Sequence, residues 1–306
     1  MKKRRIGTSD LLVSEAALGC MSLGTEKEKA LSLLDEAIDL GINYLDTADL
    51  YDFGTNEEFV GEAIKNRRQD LILATKGGNR FEKGKPGWDW DPSKAYIKEA
   101  VKQSLKRLQT DYIDLYQLHG GTIDDPIDET IEAFEELVEE GVIRYYGISS
   151  IRPNVIKEYA KKSNIVSVMM QYSLLDRRPE EWFSLLEEQS ISVVARGPLA
   201  KGLLTEKPLS QASAAIQKNG YLQYSFEELQ QIIPSLKKVA YDLSLTELSI
   251  QYVLKHSAVS SVVFGASSVD QLKENIAANA RSLSDQEVKA LTYYTKPFVY
   301  EAHRSK

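Results

Sequence analysis

The chain has 306 residues, 42% of them hydrophobic, with 38 Lys and Arg against 45 Asp and Glu. The formal charge of −7 and a pI near 5.3, without a long basic stripe, argue against nucleic acid as a partner. The one cysteine, Cys20, makes no internal disulfide, and no Cys/His spacing matches a zinc site, so a reducing cytoplasm and no metal are expected. Lys2 to Arg5 are followed by Gly7, Thr8, Ser9 and Asp10 rather than an apolar run, so no export signal is expected. Nor does any stretch approach the roughly 18 apolar residues of a membrane helix, so no membrane partner is expected.

The length allows two ordinary domains or one large barrel or open sheet. In chain order, a hairpin near Arg5 to Val13 is followed by short β-branched runs that alternate with longer amphipathic stretches. The runs predicted as strands are Ala16 to Leu18, Ile42 to Asp46, Leu71 to Lys76, Ile113 to His119, Tyr145 to Ser149, Val166 to Gln171, Val193 to Arg196 and Ser261 to Phe264. Helices are predicted over Lys27 to Leu40, Asn56 to Lys65, Ser93 to Leu108, Ile127 to Glu140, Asn154 to Lys161, Glu180 to Glu188, Leu245 to Lys255 and Val269 to Ala277. Pro92 and Ser93 open the third helix, and Gly41 and Gly141 close the first and fourth. Extra helical pieces are expected near Phe226 to Tyr241 and Ser284 to Tyr294. The stretch from Leu204 to Tyr224 reads either as a covering loop or as partly disordered.

Eight successive βα units, no Pro/Gly/Ser-rich linker and no G-x-G-x-x-G fingerprint favour one α/β domain over residues 1 to 306. The expected architecture is a (β/α)8 TIM barrel with an N-terminal hairpin. In such barrels the chemistry sits at the C-terminal ends of the strands. Alternation places Ile42, Tyr44 and Asp46 on one face, Ile72, Ala74 and Lys76 on the next, and Ile113, Leu115, Gln117 and His119 on the third. Each series ends in an ionisable residue, and Tyr51 follows in the loop after Asp46. Singly, Asp46 reads as a turn residue, Tyr51 as surface, Lys76 as a rim charge and His119 as a hydrogen-bonded core residue. Side by side at a barrel mouth, they make chemical sense. A phenol, with an ordinary pKa near ~10, becomes a useful proton donor beside an ammonium that a carboxylate holds in place. His119 would polarise a carbonyl oxygen. A Schiff-base role for Lys76 in a lyase is the competing reading.

Asp46-Thr47-Ala48 with Tyr51, Ala74-Thr75-Lys76 and Gln117-Leu118-His119 resemble the aldo-keto reductase family, and specifically the bacterial branch similar to potassium-channel β subunits. The resemblance runs from Arg5-Ile6-Gly7-Thr8-Ser9 and Leu18-Gly19-Cys20-Met21 to Gly265-Ala266-Ser267 and Glu274-Asn275-Ile276. It implies a catalytic tetrad of Asp46, Tyr51, Lys76 and His119, with Tyr51 protonating the carbonyl oxygen as hydride arrives from a reduced nicotinamide. The small carbonyl substrate would be the partner, and the protein a monomer or weak oligomer. A slow-turnover redox sensor is the alternative that the channel-subunit likeness allows.

The resemblance also implies a cofactor set. Gly19 and Met21 belong to it with Asp46. Ser149 and Gln171 would hold the carboxamide, with Ser150 standing where relatives usually have Asn. Arg196 occupies the place where many relatives put an aromatic ring against the nicotinamide; a pairing with carboxylate or phosphate is its other reading. Gly197, Pro198, Leu199, Lys201 and Gly202 match the loop that wraps the pyrophosphate. Gly265, Ser267, Gln271, Glu274 and Asn275 match the adenosine end. Their neutrality, with Lys273 the nearest cation, leaves NADP(H) favoured and NAD(H) open. Trp88 and Trp90 are the expected substrate walls, with Met21, Tyr221 and Tyr224 as further candidates.

Overall fold

A computed structural model of the chain describes residues 1–276 and 281–304. Eight parallel strands close into a barrel: β1 (Ala16–Gly19), β2 (Tyr44–Asp46), β3 (Ile72–Gly77), β4 (Ile113–Leu118), β5 (Ile143–Ser149), β6 (Ser167–Gln171), β7 (Ser192–Arg196) and β8 (Val259–Phe264). Each strand pairs with its neighbours in sequence, and β8 pairs with β1 to complete the ring. Closure leaves no strand edge to template aggregation.

The helices follow as α1 (Lys27–Asp39), α2 (Thr55–Ile64), α3 (Lys94–Leu108), α4 (Ile127–Glu139), α5 (Pro153–Lys162), α6 (Phe183–Glu188), α7 (Ala214–Asn219), α8 (Phe226–Lys237), α9 (Leu245–Lys255), α10 (Val269–Ile276) and α11 (Asp285–Tyr294). Ser93 caps α3 by accepting from Tyr96 N, and Gly41 and Gly141 take left-handed backbone just past α1 and α4. The sixth helix starts differently from the sequence expectation. Arg178–Trp182 form a tight 3-10 turn before α6, with Pro179 in its first turn, where a missing donor costs nothing. The piece near Phe226 to Tyr241 stops at Lys237. Ala277, the expected last residue of the eighth helix, lies outside the described residues.

Two apolar layers result. The inner one stacks Tyr44, Ile72, Ala74 and Leu115 with Ala17, Met169, Val194 and Val263 inside the barrel. Ile42 and Ile113, expected on that inner face, belong to the outer layer between strands and helices. Both sit where the chain enters its strand from that layer, and β2 begins only at Tyr44. The hairpin, Lys3–Arg5 against Leu12–Ser14, turns Ile6, Leu11 and Val13 into the bottom of the barrel. The hairpin seals the floor, and the buried Asp46, Lys76 and Gln117 lie toward the opposite mouth. Among the described residues no helix is long and apolar enough to cross a membrane.

Candidate active site

Register sets the mouth. Asp46 lies level with Ala74, and Lys76 with Gln117, so the last residue of β2 and the fifth of β3 are one pleat apart on facing sides. The Lys76 ammonium reaches back to Asp46 Oδ1 at 2.5 Å, to the Thr47 carbonyl at 2.7 Å and to the Tyr51 hydroxyl at 3.4 Å. Gln117 Nε2 donates to the other oxygen of Asp46 at 3.1 Å.

Tyr51 is brought there by its loop. Thr47 donates to Asn56, which in turn donates to the Cys20 carbonyl, tying the loop after β2 to the one after β1. The chain then turns through Asp52, Phe53 and Gly54 with φ of 48°, 50° and 89°. Consecutive left-handed residues other than glycine are strained, and such strain concentrates where a side chain must be aimed. Arg107 packs on Gly54 and pairs with the buried Glu57 at 2.7 Å, closing the turn from behind.

Lys76 and Asp46 are both buried. Burial opposes the Lys76 charge, but Asp46 and Tyr51 outweigh it and hold the ammonium above its ordinary value. For Asp46, burial pushes the carboxyl up against the pull of Lys76 and Gln117. A charged amine with three oxygen neighbours has no lone pair to offer a carbonyl carbon, which argues against the Schiff-base reading.

His119 follows the last residue of β4, and its ring meets that of Tyr51 edge-on with centroids 5.8 Å apart. Burial first, then the positive charges of Lys76 and Arg196, lower its pKa to about 3. Its Nδ1 is buried without a hydrogen-bond partner among the described residues. At neutral pH the imidazole is therefore an uncharged hydrogen-bonding group, suited to polarising an oxygen and unsuited to supplying a proton. The expected result is that the His119 Cε1–H resonance does not titrate between pH 8 and 5. Because the folded value lies below the unfolded one near ~6.5, His119 should cost stability as pH falls from there toward 3. Comparing wild type with His119→Gln in a pH series of urea denaturations checks the sign.

Above these residues opens a cavity of about 810 Å³, within the range of small-molecule sites. Tyr51, His119 and Asp46 line it together with Ser149, Gln171 and Arg196. Gly197, Pro198, Leu199, Lys201 and Gly202 also line it, as do Gly19, Met21, Gly265 and Gln271. Gly197, Ala200, Lys201 and Gly202 all have positive φ. Backbone of this kind turns successive N–H groups toward one point and cradles anions. Lys201 and Lys207, which also lines the cavity, make no ion pair among the described residues. This donor set fits the phosphates of a dinucleotide.

Other expected contacts lie elsewhere. Ser150 is buried in the turn before α5, where its Oγ accepts from Arg152 N, so its side chain does not reach the cavity. Asn275 is turned inward and donates to the Gly265 carbonyl, while Glu274 is exposed and Ser267 bonds Gln271; none of the three lines the cavity. Lys273 pairs with Glu36. Trp90 also lies off the cavity: its Nε1 donates to Asp125 at 3.0 Å and its ring packs over Gly78 and Gly120. Trp88 is exposed on the same loop. Tyr221 lines the cavity, but Tyr224 is buried, its hydroxyl accepting from Lys296 N. The segment from Leu204 to Tyr224 is structured, with a 3-10 turn at Leu209–Gln211 and α7, and it roofs the cavity through Thr205, Lys207 and Gln211 to Ser213. Sequence reading missed these roof residues, although Lys207 beside Pro208 in a loop after a barrel strand was the available signal.

The Aldo/keto reductase family model matches residues 16–295, and the chain belongs to that family. Its members are oxidoreductases that act on carbonyls with nicotinamide cofactors. An uncharacterized oxidoreductase, YqkF of Bacillus subtilis, is 72% identical over the whole of both chains. The holo form of aldo-keto reductase AKR11C1 from Bacillus halodurans superposes with a TM-score of 0.95 at 64% identity, covering all of both chains. An NADH-specific methylglyoxal reductase of Escherichia coli is 30% identical over 93% of this chain and 95% of its own.

Proposed function

We propose that the protein is an NADPH-dependent reductase of small aldehydes or ketones, working as one barrel domain, a monomer or weak oligomer in the cytoplasm. Tyr51 donates the proton to the substrate oxygen, Lys76 and Asp46 hold its hydroxyl, and His119 orients the oxygen. The observation that carries this reading is the contact of the Tyr51 hydroxyl with an ammonium sealed between Asp46 and Thr47, at the end of a cavity large enough for cofactor and substrate together. When bound, the reduced nicotinamide supplies the hydride. The chain's own residues place the carbonyl, exclude water and deliver the proton.

For the cofactor, Lys201 and Lys207, which make no ion pair among the described residues, suit the pyrophosphate that NADPH and NADH share, and the neutral Ser267 and Gln271 do not select for the extra phosphate, so the preference for NADPH rests on the resemblance to the channel-subunit branch. A thermal shift with NADPH, NADH and neither should give the larger stabilisation with NADPH. Adding methylglyoxal and a panel of aromatic and short aliphatic aldehydes should then consume nicotinamide absorbance. Tight NADPH binding with no turnover on any aldehyde would replace the reductase by a redox sensor. Equal or larger stabilisation by NADH would reverse the cofactor preference.

A further inference from the structure

One carboxylate is buried outside the cavity, where an apolar side chain would serve the packing as well. Glu57, in the first turn of α2, is fully buried against the barrel. Taking a charge out of water is costly even when it is paired, and apolar residues of similar volume fill such places with equal or greater stability. Stability therefore does not account for Glu57.

Its partners do. Glu57 Oε1 accepts from the Thr75 hydroxyl at 2.6 Å, and Oε2 accepts from Arg107 Nε at 2.7 Å. Thr75 immediately precedes Lys76 in β3, and alternation along the strand sends Thr75 outward to α2 and Lys76 inward to Asp46. Arg107, near the end of α3, is steadied by the Ser104 hydroxyl at 3.3 Å, and its stem lies on Gly54, where a Cβ would come within 2.7 Å of Arg107 Cδ. Gly54 closes the left-handed turn that follows Tyr51. Gly61 permits this approach of α2 to α3, because a Cβ there would meet the Arg107 carbonyl at 2.6 Å. Asp49, buried in the same wall, does not compete for Arg107: burial, then the charge of Glu57, hold its carboxyl well above the ordinary carboxylate range.

We propose that Glu57 is a positioning residue for proton transfer: by joining Thr75 to Arg107 it fixes the Tyr51 turn against the strand that carries Lys76, and so sets the approach of the Tyr51 hydroxyl to the ammonium. The inference rests on the reductase reading, in which Tyr51 is the proton donor. At 3.4 Å, the Tyr51 hydroxyl is the longest of the three ammonium contacts, and it follows a turn of strained backbone. Such backbone persists only where its surroundings hold it, and relaxation of the turn would open this contact first. Glu57 does not line the cavity, so its effect falls on alignment and leaves cofactor binding alone.

The test is a set of double-variant cycles. Thr75→Val, Glu57→Ala and Glu57→Gln should each be measured alone and together with Tyr51→Phe, by steady-state aldehyde reduction and by fluorescence titration with NADPH. Thr75→Val removes one hydroxyl and leaves the Glu57–Arg107 pair, so it decides the matter should Glu57→Ala fail to fold. It should lower kcat by roughly tenfold or more, with the Kd for NADPH close to wild type. Glu57→Ala should lose more, and Glu57→Gln should recover most of the loss, because an amide can accept from Arg107 and donate to Thr75. Added to Tyr51→Phe, none of the three should lower the residual rate further, since residues that act through one group are not additive. Equal losses in both backgrounds overturn the proposal, because Glu57 would then support the fold at large. So does an undiminished kcat in Thr75→Val, or a Glu57→Gln protein as impaired as Glu57→Ala. Normal turnover by Tyr51→Phe itself would instead sink the reductase reading's proton donor, and the inference with it.

Discussion

Replacing Tyr51 with Phe is expected to lower kcat/KM for aldehyde reduction by roughly 10²- to 10⁴-fold, the usual contribution of a positioned general acid, while NADPH binding stays close to wild type. The substitution removes one oxygen and little else. The ring keeps its edge contact with His119, and Lys76 Nζ remains 5.1 Å from the ring centroid. Lys76 also keeps its bonds to Asp46 and to the Thr47 carbonyl. Neither the fold nor the cofactor cavity should therefore change, and the loss should fall on kcat more than on KM. The neutral His119 offers no substitute proton. Steady-state kinetics of Tyr51→Phe beside a fluorescence titration with NADPH would decide the matter, since normal turnover would mean that another group is the donor.

Lys76→Met should be the most destabilising single change at the site, by about 3–5 kcal/mol, because it strands the Asp46 carboxyl in the barrel interior without its cation. The loss should be smaller at low pH, where the stranded carboxyl takes up a proton. Burial has already raised Asp46, and a carboxyl raised in the folded state contributes stability below its unfolded pKa and loses it as pH rises. The double variant Asp46→Leu with Lys76→Met should recover most of the stability, since apolar residues of similar volume replace buried ion pairs at little cost. It should remain inactive. Urea denaturation of the two variants at pH 5 and 8 separates folding from chemistry, and a double variant as unstable as Lys76→Met alone would show that the pair is not what the site's stability depends on.

Much of this site could be read from local pattern. Asp46, Lys76 and His119 each stand at the end of a run with period two, and period two alone commits their side chains to one face. The run of βα units committed the chain to a closed parallel barrel, because each strand and helix must bury an apolar face against the next. Pattern also has limits at the places where a strand begins. Ile42 and Ile113 continue the alternation in sequence, yet they join the outer layer, Ile42 lying before its strand begins and Ile113 being the first residue of β4.

The cofactor side was less legible. Asn275 shares a helical spacing with Gln271, but only the docking of α10 on β8 decides that Asn275 turns in to the Gly265 carbonyl while Gln271 faces the cavity. Trp90 has the composition of a substrate wall, and its neighbour across the loop, Asp125, makes it a packing residue instead.

What the sequence by itself determined was the kind of fold and the gathering of Asp46, Lys76 and His119 at the ends of neighbouring strands, both consequences of short-range periodicity and of covalent order. What only the tertiary structure decided was which charges are matched. Lys273 pairs with Glu36, Arg178 with Asp176 and Lys76 with Asp46, whereas Lys201, Lys207 and Arg196 at the cavity have no ion pair among the described residues. Pairing depends on distances between residues tens or hundreds of positions apart, and Coulomb interaction falls with that distance in space and takes no account of position in the chain.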